Sequence, residues 1–139
     1  MPDIREDILA RLNEVVAGVP GISTTIRNNI DWVDRQMPVA MVLDGDEEVV
    51  SDKPRVMVVT MTPEITIIEE SDSIGSDLTT FRRELMKLVL ADAALIELTG
   101  PNGAVRYIGC DTQFGWSKKM YGALILRFSF KYPLQHHDL

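Results

Sequence analysis

The spacing of apolar positions at the start of the chain predicts an amphipathic helix. Between Asp3 and Ala17, apolar residues recur every three or four positions, which is the period of a helix that buries one side. Asp3 can accept hydrogen bonds from the free amides of the first turn, and Gly18 with Pro20 ends the helix. The opposite face carries Arg5, Asp7, Arg11 and Glu14, so we expect it to face solvent.

A second amphipathic helix is predicted to begin at Ser76 or Asp77 and to end near Leu90. Two arginines, Arg82 and Arg83, lie off its apolar stripe, which consists of Leu78, Phe81, Leu85, Leu88 and Val89. A third, short helix follows, for which Asp92 is the predicted cap, and the Gly-Pro-Asn-Gly run at 100–103 ends it.

Five further segments have the alternation or the β-branched content of strands. Pro63 cannot donate to a β-ladder, so it indicates a bulge or an edge, or divides the third segment into two strands. Residues 44–54 form an acidic turn longer than a tight hairpin turn, and 112–121 form a hairpin arm or a loop. The predicted strands are Ser23–Arg27, Pro38–Leu43, Arg55–Met61 with Glu64–Glu69 as one long strand or two abutting ones, Ala104–Asp111 and Gly122–Tyr132.

This order, α-β-β-β-α-α-β-β, predicts an α+β fold. Runs of strands, rather than strict alternation with helices, favour a mostly antiparallel or mixed sheet with two main helices packed on one face. The length of 139 residues fits one domain over 1–139, since no linker or repeat divides the chain.

The net charge of the chain indicates which kinds of binding partner are unfavourable. The net charge is −7, which disfavours general binding to phosphate backbones. Residues 1–80 hold 16 acidic and 6 basic side chains, whereas residues 81–139 hold 5 and 8. No apolar run approaches the roughly 20 residues of a membrane span, and the acidic N-terminus does not resemble a secretory signal. A cytoplasmic origin is therefore expected.

The chain shows no set of residues typical of catalysis or of metal or cofactor binding. His136 and His137 lie in a terminal tail, and Cys110 has no histidine near it in sequence and is expected to be buried. The acidic run at 44–48 lacks the glycine and the final glutamate of a calcium-binding loop. We therefore predict no catalytic residues, no metal site and no cofactor.

Several strings of residues resemble small tail proteins of long-tailed phages. They cover nearly the whole chain, but they are structural strings rather than a catalytic signature. They are Ile4–Leu12, Val19–Ile22, Arg27–Asn28, Val39–Glu47, Met61–Ile65, Leu88–Leu95, Arg106–Thr112, Met120–Gly122 and Leu126–Tyr132. The family they resemble is the tail terminator, or tail-completion, class of minor tail proteins of siphophages and related prophages.

The resemblance implies a non-enzymatic protein of α and β structure that forms a homohexameric ring. Such a ring sits on the head-proximal end of the tail tube, stops its polymerisation and joins it to the head. Its partners would be copies of itself, the tail tube protein and a head–tail connector, with DNA only passing through the lumen. The protein would be a virion component assembled in the host cytoplasm.

Within such a ring, two groups of residues are candidate contacts. Aromatic residues and methionine are enriched in interface cores, and basic pairs suit an acidic partner. Candidate subunit or partner contacts are Phe114, Trp116, Lys118, Lys119, Met120, Arg82 and Arg83. A candidate acidic loop, facing the lumen or a neighbouring ring, consists of Asp44, Asp46, Glu47, Glu48 and Asp52.

Three other functions stay open at this point. The chain could be another neck component, such as a connector subunit beneath the portal. It could be a small hydrolase or transferase that uses carboxylates, among which Glu64, Glu69 and Asp111 are candidates. It could also be a monomeric regulatory binding domain.

Overall fold

The computed structural model describes residues 3–28, 36–70, 74–116 and 120–135. Within them the chain forms three helices and five strands in the predicted order. The helices are α1 (Ile4–Ala17), α2 (Ile74–Leu90) and α3 (Ala93–Thr99). The strands are β1 (Thr24–Arg27), β2 (Val39–Lys53), β3 (Val56–Glu70), β4 (Ala104–Trp116) and β5 (Met120–Gln135).

The strands make one five-stranded mixed sheet in the order β1-β2-β3-β5-β4. β1 pairs parallel to β2, and the other three pairings are antiparallel. The long strands β3 and β5 pair along most of their length, from Val56 opposite Gln135 to Glu70 opposite Tyr121. The predicted α+β fold with a mixed sheet is thus confirmed.

The helix ends follow the predicted capping chemistry. The Asp3 carboxylate accepts a hydrogen bond from the Glu6 amide at 3.3 Å, and Gly18 is the C-cap of α1. The Asp92 carboxylate accepts from the Leu95 amide at 3.0 Å, which satisfies a free donor at the start of α3. These short polar side chains therefore fix where the helices begin.

The main core lies between the three helices and one face of the sheet. Every second side chain of β5 points to this face, where the apolar ones are buried: Leu124, Leu126, Phe128 and Phe130. The prediction that Leu88 belongs to the buried stripe of α2 is wrong, because its side chain is 38% exposed. The helices supply Ile8, Leu9, Leu12, Val15, Val16, Leu78, Phe81, Leu85, Val89 and Leu95 to this core.

The opposite face of the sheet has a much smaller apolar cluster. Val39, Met41 and Ile68 are buried there, with Ile26, Met37 and Ala123 packed against them. Further along the strands, this face carries threonines and charged side chains that are half-buried. One face of the sheet is therefore the structural core, and the other is largely polar.

The acidic segment after Leu43 is strand rather than the predicted turn. β2 continues to Lys53, with pairing shifts between Leu43 and Asp46 and again after Val49. Gly45, at φ +75°, lies in the first of these bulges, opposite Pro63, so the Asp-Gly pair supplies a bulge instead of a hairpin turn. The bulge expected at Pro63 is confirmed, although β3 is a central strand.

Candidate functional site

The sheet is longer than the helices that cover it. Strands of 15 residues, such as β2 and β3, extend about 50 Å at the usual rise. The 14 residues of α1 and 17 of α2 extend only about 21 and 26 Å. The ends of the β2–β3 and β4–β5 hairpins are at opposite ends of the sheet, where the helix layer leaves side chains exposed.

Asp44 belongs to a joint between three elements rather than to a free acidic loop. Its carboxylate accepts from Arg27 Nε at 3.0 Å, and Arg27 also binds Glu6 on α1 at 2.6 Å. Burial opposes ionisation of Asp44, but the hydrogen bonds from Arg27 and Asn28 outweigh it and lower its pKa. Asp44 therefore has a structural role within the chain, and its predicted position facing a lumen or another ring stays a prediction.

The rest of the acidic candidate group lies on the β2–β3 hairpin. Asp46 and Glu48 are exposed and pair with Thr62 and Thr60 of β3, on the polar face of the sheet. Asp52 is exposed at the end of β2. These residues form an acidic strand, where the sequence indicated a loop.

Glu47 differs from its neighbours because it faces the helix side. There its carboxylate accepts a short hydrogen bond from the hydroxyl of buried Tyr132. Burial, and then this bond to an acceptor carboxylate, raise the pKa of Tyr132 above its usual range.

The two arginines of α2 have different surroundings. The Arg82 guanidinium lies 5.5 Å from the centre of the Tyr107 ring, and its Nε donates to the Tyr107 hydroxyl at 3.2 Å. Tyr107 in turn packs edge-to-face on Phe128. Arg83 is exposed and borders an open groove of about 610 Å³ along the outer side of α2.

Phe114 is an exposed aromatic on the helix side of β4. Its side chain is 58% exposed and lines a cavity of about 340 Å³ with Leu78, Cys110 and Leu124. Cys110 is partly buried against the core, as expected for a structural thiol. Exposure of a large ring at the end of a strand fits the predicted contact role, which stays a prediction.

The remaining candidates of this hairpin are described only in part. The backbones of Trp116 and Met120 pair with each other at the end of β4 and β5. Their side chains lie outside the described part of the structure, as do Lys118 and Lys119 entirely. The predicted roles of these four residues stay predictions.

The carboxylates considered for catalysis do not converge on a cavity. Glu64 and Asp111 flank Arg127 on the polar face, with its Nε at 3.1 Å from Glu64 and its second nitrogen at 2.8 Å from Asp111. Burial, together with the charge of Asp77, raises the pKa of Glu69, which is on a different part of β3. Glu64 and Asp111 are therefore partners of one arginine, and Glu69 lies apart from them.

The described residues contain neither a cluster of metal-binding side chains nor a membrane-spanning helix. In residues 3–28, 36–70, 74–116 and 120–135, no three His, Cys, Asp or Glu side chains are placed to hold a metal ion. None of the three helices within those ranges is long and apolar enough to cross a membrane.

Comparison with known proteins does not assign the chain to a family. No protein-family model matches the sequence, and no curated protein is significantly similar to it. The candidate surfaces must therefore be judged on their own geometry.

Sequence reasoning missed an exposed apolar pair on the β2–β3 hairpin. Val49 and Val50 are 59% and 56% exposed, directly after the acidic run. Both lie at the second pairing shift of β2, between Val49 and Ser51, where an extra residue interrupts the regular alternation of side chains. The sequence does not indicate this exposed pair, because the acidic segment around it predicts a turn rather than a strand.

Proposed function

We propose that this chain is a structural subunit of a phage tail, which assembles head-to-tail into a ring at the head-proximal end of the tail tube. The ring stops tube polymerisation and offers the surface to which the filled head binds. Six copies form the ring in this proposal, and its partners are the tail tube protein and a connector. DNA passes through the lumen without specific binding.

One observation supports this proposal most: the two hairpins end at opposite ends of the sheet, and each carries exposed apolar side chains. A closed ring needs two different surface patches on each subunit, one of which meets the other patch of the next copy. The β2–β3 hairpin carries exposed Val49 and Val50, and the β4–β5 hairpin carries exposed Phe114. Exposed apolar side chains next to polar ones are typical of contact surfaces.

The placement of the charged groups supports a binding role over a catalytic one. Glu64 and Asp111 are both paired with Arg127, and Asp44 and Glu6 are both paired with Arg27. Carboxylates held in this way stabilise strand and helix packing. The exposed apolar and charged side chains of the hairpins and of α2 are the ones available for contacts with partners.

The direct test is a tube-growth assay with purified components. Tail tube protein is polymerised from its initiator with and without this chain, and tube lengths are measured by electron microscopy. We expect added protein to halt elongation and to appear as a ring at one tube end. Unchanged tube lengths with no density at the ends would reject the terminator function. Rings that bind tube ends without halting growth would instead favour another neck component.

A further inference from the structure

The groove on the outer side of α2 combines an apolar floor with a positively charged rim. Its volume is about 610 Å³, and its lining residues come from α2 and from Ala91 directly after it, at spacings of three or four. Met86, Leu90 and Ala91 supply apolar surface, and Leu90 is 38% exposed. The rim consists of Arg82, Arg83 and Lys87.

The rim charges are only partly neutralised within the chain. Arg82 lies against the Tyr107 ring, which leaves its charge in place, and Lys87 is 3.8 Å from Glu84 in an exposed pair that contributes little. Within the described residues, Arg83 has no ion pair. The groove therefore suits an occupant that carries both apolar and acidic side chains.

The β2–β3 hairpin of the same chain has this chemistry. Glu47 and Glu48 directly precede Val49 and Val50, and all four are exposed. The basic residues of this hairpin, Lys53 and Arg55, lie beyond this segment at the turn. Apolar and acidic side chains therefore occur together on one projecting strand.

We infer that the segment Glu48–Val50 of one copy docks in the α2 groove of the next copy. The hairpin is built from β2 and β3, whereas the groove faces outward from α2 on the side where Arg82 meets Tyr107 of β4. Each copy thus offers a projecting strand and a separate groove that receives one. This head-to-tail arrangement rests on the proposed function, because it gives the ring its repeated interface.

Disulfide cross-linking tests the contact directly. On a Cys110→Ser background, Val50→Cys and Ala91→Cys are combined and the protein is oxidised. A disulfide requires the two Cα atoms to approach within about 4.4 to 6.8 Å, so efficient linking reports contact. We expect a ladder of linked copies that ends at one closed size. Val50→Cys with Ala17→Cys, an exposed position on α1, is the control pair.

Charge reversal provides an independent test. Glu48→Arg and Arg83→Glu should each weaken association of the copies at least about tenfold, because each places like charges together. The two changes in the same chain should restore association, since every hairpin then meets a reversed groove. Glu97→Arg, on the exposed side of α3, is the matched control and should have no effect.

The outcomes separate this interface from the tail function. Rings that form in the wild type, with cross-linking no higher than in the control pair, would overturn the docking and leave the ring. A wild type that stays monomeric at all concentrations and on tube ends would overturn both. Cross-linked closed rings that leave tube growth unchanged would support the docking and reject only the tail function.

Discussion

At the residue scale, Arg27 joins three elements of the fold. It lies at the end of β1 and binds Glu6 of α1 at 2.6 Å and Asp44 of β2 at 3.0 Å. The hydrogen bond from Arg27 lowers the pKa of Glu6. Burial raises the pKa of Asp44, but the hydrogen bonds from Arg27 and Asn28 and the charge of Arg27 together outweigh burial and lower it. The sequence could not indicate this joint, because it depends on the parallel pairing of β1 and β2.

Replacing Arg27 should therefore destabilise the fold. Arg27→Leu removes charged hydrogen bonds to partly buried Asp44, and we expect a loss of about 1 to 2 kcal/mol in the free energy of unfolding. Urea denaturation at neutral pH measures it. Arg106→Leu, at an exposed position, is the control and should change stability by less than about 0.5 kcal/mol. Equal effects of the two changes would contradict the assigned role of Arg27.

The same joint predicts a dependence on pH. A carboxylate whose pKa is lowered in the folded state stabilises the protein at any pH above the pKa that the group has in the unfolded chain. That stabilisation is lost as the pH falls through the pKa of the folded state. Wild-type stability should thus decline below about pH 4, the ordinary range of these groups. Arg27→Leu should flatten this decline in denaturation curves measured across acidic pH. An identical decline in both proteins would show that the two carboxylates are not coupled to Arg27.

At the element scale, the first bulge of β2 depends on a glycine. At Gly45, φ is +75° and a Cβ atom would lie 2.0 Å from the Thr62 carbonyl oxygen. Gly45→Ala should cost at least about 1 to 3 kcal/mol, because both the backbone conformation and the close approach oppose it. Gly75→Ala in α2, where a Cβ meets nothing within 4 Å, should be neutral or stabilising by about 0.5 kcal/mol. Thermal unfolding of the two variants compares them, and a well-tolerated Gly45→Ala would contradict the bulge.

Asp92 combines two roles at the start of α3. Its carboxylate caps the Leu95 amide and binds Arg11 of α1 at 2.6 Å, and the Arg11 hydrogen bond lowers its pKa. Asp92→Ala should cost about 1 to 2 kcal/mol through the lost cap. Asp92→Asn keeps a capping oxygen but loses the charge and one of the two oxygens that accept from Arg11, so it should cost less. Chemical denaturation distinguishes the two, and equal losses would show that the charge rather than the cap dominates.

The order of elements could be predicted because helical and strand periods are visible in the chain. The extent of β2 could not, because Asp-Gly favours positive φ in a bulge as well as in a turn. Leu88 was misplaced for a related reason: a stripe defined by spacing alone is wider than the face that α2 buries. The position of Arg83 off the apolar stripe could be predicted from spacing, whereas the groove that borders Arg83 depends on how α2 lies on the sheet.

At the scale of the whole molecule, the uneven charge of the sequence becomes partly spatial. Acidic side chains are concentrated on the β2–β3 hairpin and basic ones on the rim of the α2 groove. Association of copies through these surfaces should weaken as salt rises from about 0.05 to about 0.5 M, because exposed charges are screened. Native mass measurements should show a species about six times 15.6 kDa that declines with salt. Assembly that strengthens with salt would indicate an interface without this charge component.

In the proposed function, this chain ends a phage tail tube by closing a ring on it. The most direct measurement is the tail-length distribution, by electron microscopy, of particles produced with the coding sequence deleted and then restored. We predict overlong tubes without attached heads on deletion, and uniform tails joined to heads on restoration. Tails of normal length that still join heads after deletion would contradict the account.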